Sequence, residues 1–247
     1  MSEKHIFALH VPDLDTAQKQ YRCLSAHPLY HRLAHVMRGA PGDELILFNQ
    51  QIHITATVAS INKKELVLKL GATEQNQQLG PKITMLVSIT KQDALEEAVY
   101  ACAEFGASVI QPVITEKAYR QTLPEHALQR IRAQIIAGAE QAKHFAFPTL
   151  QEPSTLVDAI KQLTAQQCFP LFFDPEGQPL ATVLEQITST TPTHIAALIG
   201  PEGDLTNEEK ALLAHANFIF CALTPTILRA PSATALGLGV LRAYLRD

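Results

Sequence analysis

The fold is decided by residues 194–239, HIAALIGPEGDLTNEEKALLAHANFIFCALTPTILRAPSATALGLG. Twice in this stretch an apolar run is followed by a loop and then by a helical pattern. Ile195–Ile199 leads into the loop Gly200–Asp204, and Phe218–Cys221 leads into the loop Leu223–Arg229. Neighbouring parallel strands that end at the same edge of a sheet form a crevice in which ligands bind. We therefore expect these two loops to leave neighbouring strands and to hold a ligand.

The rest of the 247-residue chain has a pattern of its own on each side of a polar segment. Ala72–Lys82 (ATEQNQQLGPK) has no hydrophobic period and is typical of a linker. Before it, a helical pattern at Pro28–Arg38 and several short strand patterns predict a small β-barrel. After it, strand and helix patterns alternate from Ile83 to Leu245, which predicts a mostly parallel sheet covered on both faces.

The net charge of −4 argues against a globally basic nucleic-acid-binding protein. The charge is unevenly distributed, however, because residues 1–73 carry a net +2 and residues 74–247 a net −6. We predict one domain over residues 1–73 and a second over residues 74–247. The first domain is the better candidate for contact with nucleic acid.

The cysteines are far apart in sequence and form no CxxC pair, which is typical of free thiols in a reducing compartment. No apolar run is long enough to cross a membrane, and the first residues lack the pattern of a signal peptide. We therefore expect a cytoplasmic protein. The cysteines are Cys23, Cys102, Cys168 and Cys221.

The first loop has the glycines of a ligand-binding loop but the wrong charge for phosphate. Gly200 and Gly203 allow a ligand to approach the backbone closely, and Thr206–Glu209 forms a capping box that begins a helix. Glu202 and Asp204 would repel a phosphate group. A ligand with hydroxyls, an adenine edge or a positive centre fits better, while a plain strand–turn–helix corner remains the alternative for this loop alone.

In the second loop, Pro225 and Pro231 flank a stiff segment that contains Arg229. The helix predicted from Pro231 to Leu245 is rich in small residues, so another segment or a second subunit can pack closely against it. Arg229 either acts on the ligand or forms a surface salt bridge, which is the commoner role of an isolated arginine.

Taken in order, these motifs resemble the RsmE family of the SPOUT superfamily. The resemblance rests on IGPEG at 199–203, T-x-x-E at 206–209 and L-x-P-x-I-L-R at 223–229, followed by the small-residue helix. It extends upstream and so covers nearly the whole chain. The upstream segments that are similar to family motifs are His35–Asp43, Glu104–Ala107 and Ala139–Gln141.

The resemblance implies an α/β fold in two parts. The first is a PUA-like, RNA-binding β-barrel, and the second is a SPOUT-type domain with a deep trefoil knot and a mostly parallel sheet. It implies a homodimer with the active site at the interface. The implied reaction is transfer of a methyl group from S-adenosylmethionine to N3 of a uridine (uracil 1498) in 16S rRNA of the small ribosomal subunit.

The resemblance also assigns site residues. Arg229 is the implied catalytic residue, because a guanidinium can stabilise the charge that spreads onto the uracil oxygens when N3 loses its proton. The cofactor lies against both loops and against the turn after Phe173. The implied cofactor-binding residues are Phe173, Leu198, Ile199, Gly200, Glu202, Gly203, Leu223, Thr226, Ile227 and Leu228.

Contacts with RNA phosphates are predicted in the first domain, with a solvated basic face as the alternative. The histidines His27, His31 and His35 recur every four residues, so two of them could bind a metal from one helical face. No further ligands are evident, so we predict no metal site and place these histidines on an RNA-facing helix. The candidate phosphate contacts are Lys4, Arg22, Arg32 and Arg38.

The sequence departs from the family where the chemistry is expected. Asp204 replaces the last glycine of GPEGG, Thr226 stands in place of an arginine and Pro231 in place of a glutamate. Ser232 is a poor base, so either a water or a residue from another segment accepts the N3 proton, or the activity is altered. Three hypotheses follow: a uridine-N3 methyltransferase, a diverged enzyme that modifies another RNA, and a non-catalytic RNA-binding or assembly factor.

Overall fold

The structure, a computed structural model, describes residues 6–15 and 17–245. The chain divides into two compact units. Unit 1 contains the chain up to Gln77 together with Lys143–Ala146, and unit 2 contains Gln78–Ala142 and the chain from Phe147 onward. The boundary therefore lies within the polar segment, and the short return of residues 143–146 to unit 1 was not predicted from the sequence.

In unit 1 the described residues form a five-stranded sheet in the order β1-β3-β4-β5-β2, in which β1 pairs with β3 in parallel and the other pairs are antiparallel. Leucine, isoleucine and valine side chains from β3, β4 and β5 form its core together with Leu29 and Leu33. Closure of this sheet into a barrel stays a prediction. The strands are β1 (Phe7–His10), β2 (Gln20–Leu24), β3 (Glu44–Phe48), β4 (Ile52–Ile61) and β5 (Glu65–Gln75).

A helical segment lies between β2 and β3. Helix α1 (Pro28–His31) continues into a π-helical turn at Arg32–Val36, and Arg38 follows with a left-handed φ of 54°. The His27 ring caps α1, because its Nδ1 accepts the Leu29 N–H at 3.2 Å. The predicted helix is therefore present and ends before Arg38.

The predicted linker is wrong for Ala72–Gln75, because β5 continues to Gln75. The polar side chains there are exposed, but the backbone is paired with β4, for example Ile52 with Gln75 and Ile54 with Thr73. Backbone pairing to a partner strand can sustain a strand whose side chains alone would not predict one.

Unit 2 contains the mostly parallel α/β sheet expected from the sequence. Among the described residues the strand order is β12-β10-β11-β6-β7-β8, every pair is parallel, and β9 also pairs with β7. The strands are β6 (Lys82–Ser88), β7 (Val109–Ile114), β8 (Thr149–Leu150), β9 (Ser154–Thr155), β10 (Phe169–Pro179), β11 (His194–Ile199) and β12 (Ile219–Ala222). The two-residue strands β8 and β9 were not predicted.

Helices cover both faces of this sheet because alternate strand residues point to opposite sides. On β11, Ile195, Ala197 and Ile199 belong to one buried cluster, and Ala196 and Leu198 belong to the other. The first cluster includes α2, α3, α5 and α7, and the second includes α4 and α6. The helices are α2 (Gln92–Glu104), α3 (Glu125–Ala142), α4 (Leu156–Ala165), α5 (Leu180–Thr190), α6 (Asn207–His215) and α7 (Ala230–Tyr244).

Within residues 6–15 and 17–245, no helix is long and apolar enough to span a membrane. The same residues contain no group of three or more histidine, cysteine, aspartate or glutamate side chains that could hold a metal ion. His31 and His35 lie with their rings 5.2 Å apart between centroids. The trefoil knot in unit 2 stays a prediction.

Candidate active site

Three loops leave the carboxyl ends of β11, β10 and β12 at one edge of the sheet. The expectation that the strands before the two conspicuous loops are neighbours is wrong, because β10 lies between β11 and β12 and pairs with both. The turn Asp174–Gly177 therefore stands between the loop Gly200–Asp204 and the loop Leu223–Arg229. We call these three segments the middle turn, the GPEG loop and the second loop.

The middle turn is an excursion within β10. Both Phe173 and Gln178 are in register with Cys221 of β12, so the four residues between them bulge out of the sheet. A Cβ added to Gly177 would lie 2.4 Å from the backbone nitrogen of Cys221. Glycine is required at this position because β12 passes directly against the turn.

A cavity of about 310 Å³ opens between the middle turn and the second loop. Its walls are mostly apolar, with the Asp174 carboxyl and threonine hydroxyls as polar groups. Burial raises the pKa of the Cys221 thiol to about 11, so this lining thiol is protonated near pH 7. The lining residues are Phe173, Asp174, Pro175, Cys221, Leu223, Thr224, Thr226, Leu228 and Ala233.

Four of the ten predicted cofactor-binding residues line this cavity, namely Phe173, Leu223, Thr226 and Leu228. The side chains of Leu198 and Ile199 are buried in the two sheet clusters, so contact with a ligand would have to come from their backbones. Ile227 is 86% exposed and does not line the cavity. Gly200, Glu202 and Gly203 lie in the GPEG loop on the other side of the middle turn.

The GPEG loop is held in a fixed shape by its own hydrogen bonds. The Asp204 N–H donates to the Pro201 carbonyl at 3.0 Å, and Asp204 adopts a left-handed φ of 59°. The Asp204 carboxylate in turn accepts the Leu205 N–H at 2.7 Å. Asn and Asp tolerate this conformation better than most residues, so Asp204 can stand where glycine is usual.

Helix α6 begins directly after this loop, as the sequence predicted. Thr206 and Glu209 form the complete capping box, in which the Glu209 side chain accepts the Thr206 N–H at 3.0 Å. The same carboxylate accepts the Glu116 N–H at 2.8 Å, and Lys117 Nζ donates to the Gly203 carbonyl at 3.0 Å. The loop after β7 therefore supports the GPEG loop.

A lysine that the sequence did not single out connects two walls of the site. Lys210 Nζ lies 2.7 Å from Asp174 Oδ2 and 2.8 Å from Asp204 Oδ2. Partial burial lowers the pKa of Lys210, but the hydrogen bonds and charges of both carboxylates outweigh this effect and raise the pKa above its usual value. Lys210 is therefore positively charged at neutral pH. Its partner Asp174 is 36 residues away in sequence. Hydrophobic periodicity cannot predict a contact between residues that far apart.

Arg229 lies at the N-cap of α7, directly after the lining residue Leu228. Its side chain is 75% exposed and its nearest acid is Glu97 of α2, with 3.8 Å between Nη2 and Oε2. Such an exposed pair contributes little to stability. Arg229 does not itself line the cavity, but its mostly exposed side chain follows a residue that does.

Helix α7 packs closely on the site because it carries glycine where it meets Phe173. A Cβ added to Gly237 would lie 2.5 Å from the Phe173 ring. The sequence predicted that small residues let another segment or a second subunit pack closely on this helix. In the structure a segment of the same chain, at Phe173, packs there.

The predicted RNA contacts that the structure describes lie in unit 1. Arg22 is exposed on β2 and donates to the Gln20 side chain at 3.2 Å, Arg32 begins the π-helical turn, and Arg38 follows it. All three are exposed. Lys4 lies outside the described residues.

Residues 77–242 match the RNA methyltransferase domain family. The chain belongs to this family. The resemblance to RsmE proteins is also confirmed. The chain is 26% identical to ribosomal RNA small subunit methyltransferase E of Rickettsia conorii, over 86% of this chain and 85% of the relative. It is 25% identical to the protein of the same name from Bacillus subtilis, over 85% and 86%.

Solved structures have the same fold. A methyltransferase from Legionella pneumophila in complex with the cofactor SAM superposes with a TM-score of 0.83 at 24% identity, covering 97% of this chain and 98% of the other. A ribosomal RNA small subunit methyltransferase E from Neisseria gonorrhoeae bound to S-adenosyl methionine gives 0.82 at 20% identity, with the same coverage.

Proposed function

We propose that this protein transfers a methyl group from S-adenosylmethionine to N3 of a uridine in 16S rRNA. The family assignment over residues 77–242 makes it an RNA methyltransferase. The names of its relatives, which are small-subunit rRNA methyltransferases, suggest the substrate. The observation that carries the proposal is the cavity between the middle turn and the second loop, next to the conspicuous GPEG loop.

The residues of the site fit S-adenosylmethionine. The cavity walls offer an apolar surface at Phe173, Leu223 and Leu228 for a planar base. Glu202 in the neighbouring loop is an exposed acid that suits ribose hydroxyls or a positive centre. Among the residues that the structure describes, no lysine or arginine lines the cavity, which disfavours a phosphate-bearing ligand. When bound, the cofactor supplies an electrophilic methyl group on a sulfonium.

The chain contributes position and charge to the reaction. The loops hold the reactants in line, which by itself can supply much of the rate. N3 loses its proton to a water or to a residue of another segment, and the Arg229 guanidinium stabilises the negative charge that spreads onto the uracil oxygens.

We further propose that the protein has RNA and a second copy of itself as partners. Unit 1 binds RNA through phosphate contacts of Arg22, Arg32 and Arg38, with Lys4 as a further candidate. The protein acts in the cytoplasm on 16S rRNA in the small ribosomal subunit. It forms a homodimer with the active site at the interface, and no metal takes part.

The direct test is mass spectrometry of nucleosides from rRNA of cells with and without this protein. We expect 3-methyluridine in small-subunit rRNA to disappear without the protein and to return when purified protein and S-adenosylmethionine are added to subunits or to free 16S rRNA. An unchanged 3-methyluridine level together with loss of another methylated nucleoside would favour a diverged enzyme. Loss of no methylated nucleoside would favour a binding or assembly factor.

A further inference from the structure

The ammonium group of Lys210 joins two walls of the proposed cofactor site. Asp174 begins the middle turn, Asp204 ends the GPEG loop, and both carboxylates lie within 2.8 Å of the same Nζ. Lys210 itself is placed by α6, whose start is fixed by the capping box. Two loops that leave different strands are therefore held by a side chain on a third element.

Each of the two carboxylates also accepts a hydrogen bond from the backbone of its own loop. The Asp174 side chain is only 2% exposed, and its Oδ1 accepts the Glu176 N–H of its own turn at 2.8 Å. The Asp204 Oδ1 accepts the Leu205 N–H. Each acid thus uses one oxygen to stabilise its own loop and the other to bind the ammonium, so a displacement of either loop would break a bond to Lys210.

The arrangement of the two carboxylates depends on the positive charge of Lys210. Asp174 is a buried acid, and a buried charge without a partner is strongly unfavourable. Without Lys210 the two carboxylates would also repel each other at short range. The middle turn and the GPEG loop would then separate.

We infer that Lys210 is a positioning residue that sets the spacing between the GPEG loop and the middle turn and thereby the affinity for S-adenosylmethionine. The inference rests on the proposed function. Lys210 acts through Asp174 and Asp204 and does not touch the ligand. It also gives Asp204 a role, because glycine at this position would have no carboxylate to offer Lys210.

The test is calorimetric titration of S-adenosylmethionine into the full chain and its variants. Lys210→Met keeps the length of the side chain but removes its charge, and we expect its dissociation constant for S-adenosylmethionine to rise about tenfold, the effect of losing hydrogen bonds between charged groups. In steady-state kinetics the KM for S-adenosylmethionine should rise more than kcat falls, and the KM for RNA should not change. Lys210→Arg, which keeps the charge, should recover most of the affinity.

Asp204→Gly gives a second route if Lys210→Met does not fold. It leaves Lys210 paired with Asp174, and we expect an intermediate loss of affinity. The matched control is Lys161→Met on α4, since Lys161 is exposed and pairs with the exposed Asp158 at 3.5 Å. This control should bind S-adenosylmethionine as the unaltered protein does.

Failure of the positioning role of Lys210 can be distinguished from failure of the proposed function. If the unaltered protein binds S-adenosylmethionine and folded Lys210→Met or Asp204→Gly binds it equally well, the positioning role is wrong while the proposed function stands. A fall in kcat with no change in KM or dissociation constant would also overturn it. If the unaltered protein does not bind S-adenosylmethionine, both fail.

Discussion

Single residues at the carboxyl edge of the sheet have separable effects on stability and on chemistry. Gly177 and Gly237 are required because a backbone and a ring come within 2.5 Å of the position that a Cβ would occupy. Gly200 and Gly203 have only ordinary contacts there, the nearest at 3.5 Å. The first pair therefore serves packing, and the second pair is free to serve a ligand.

Gly177→Ala should destabilise the protein by about 3 kcal/mol, because the added methyl group meets the β12 backbone, which cannot move without disrupting the pairing with β10. Urea unfolding monitored by circular dichroism measures this loss. Gly200→Ala is the matched control, since its methyl group would lie at 3.5 Å from the Phe172 ring and should leave the unfolding midpoint nearly unchanged. Equal urea midpoints for the two variants would contradict this expectation and show that the β12 backbone can shift to make room for the methyl group.

Arg229→Ala should lower kcat about 100-fold, the usual effect of removing one group that stabilises charge in the transition state. The dissociation constant of S-adenosylmethionine should stay the same, because Arg229 does not line the cavity. Single-turnover kinetics with 16S rRNA measure the effect. Arg132→Ala, which removes an exposed arginine of α3 paired with Glu125, provides the control. An unchanged kcat would remove Arg229 from the mechanism.

Among secondary structure elements, the paired strands β6 and β11 contain a buried histidine that is hydrogen-bonded to a threonine. His194 Nε2 and Thr84 Oγ1 lie 2.9 Å apart in the interior. Burial and, to a lesser extent, the charge of Lys82 lower the pKa of His194 below its usual value. In the folded protein the imidazole is therefore neutral at a pH at which it is already protonated in the unfolded chain.

The sign of the pH effect follows from this difference. The stabilisation is fully present above about pH 6.5, the unfolded pKa, and is lost as the pH falls through the folded pKa, because the unfolded state then binds more protons. The urea midpoint should therefore decrease between pH 8 and pH 5. His194→Gln should show a smaller decrease, whereas His126→Gln on the exposed face of α3 should behave as the unaltered protein. Parallel pH profiles for all three would refute the assignment to His194.

Elements with a clear period could be predicted, and those that depend on partners could not. The continuous apolar run of β11 and the capping box of α6 could be predicted because their signals are local in sequence. Strand β2 was missed because most of its side chains are exposed, and the end of β5 was missed because it exists through pairing with β4. The position of β10 between β11 and β12, and the pairing of Lys210 with Asp174, arise only when distant segments meet.

At the scale of the whole molecule, the two units differ in charge in a way that fits the proposed division of tasks. The chain before residue 74 is net positive and the remainder is net negative. Long-range attraction of RNA phosphates should therefore come from unit 1, while the acidic unit 2 accepts only the reacting nucleotide and the cofactor.

Replacing Arg22, Arg32 and Arg38 together by alanine should weaken RNA binding and flatten its dependence on salt. Each phosphate contact that is lost should reduce the slope of log K against log salt by about 0.7 to 0.9. Filter binding of a 16S rRNA fragment at several salt concentrations measures the slope. The control is Lys161→Ala, which removes one exposed positive charge from unit 2 and should leave the slope unchanged. An unaltered slope in the triple variant would show that RNA binds another surface.

The return of Lys143–Ala146 to unit 1 limits how the two units can be recombined. Phe145 packs its ring 4.7 Å from Phe48 and 4.8 Å from His53, measured between centroids. A chimera joined once in the polar segment would inherit this phenylalanine from one parent and the surface that receives it from the other. Exchange of unit 1 between relatives thus requires two junctions, or a matched pair of changes at Phe145 and at the rings that contact it.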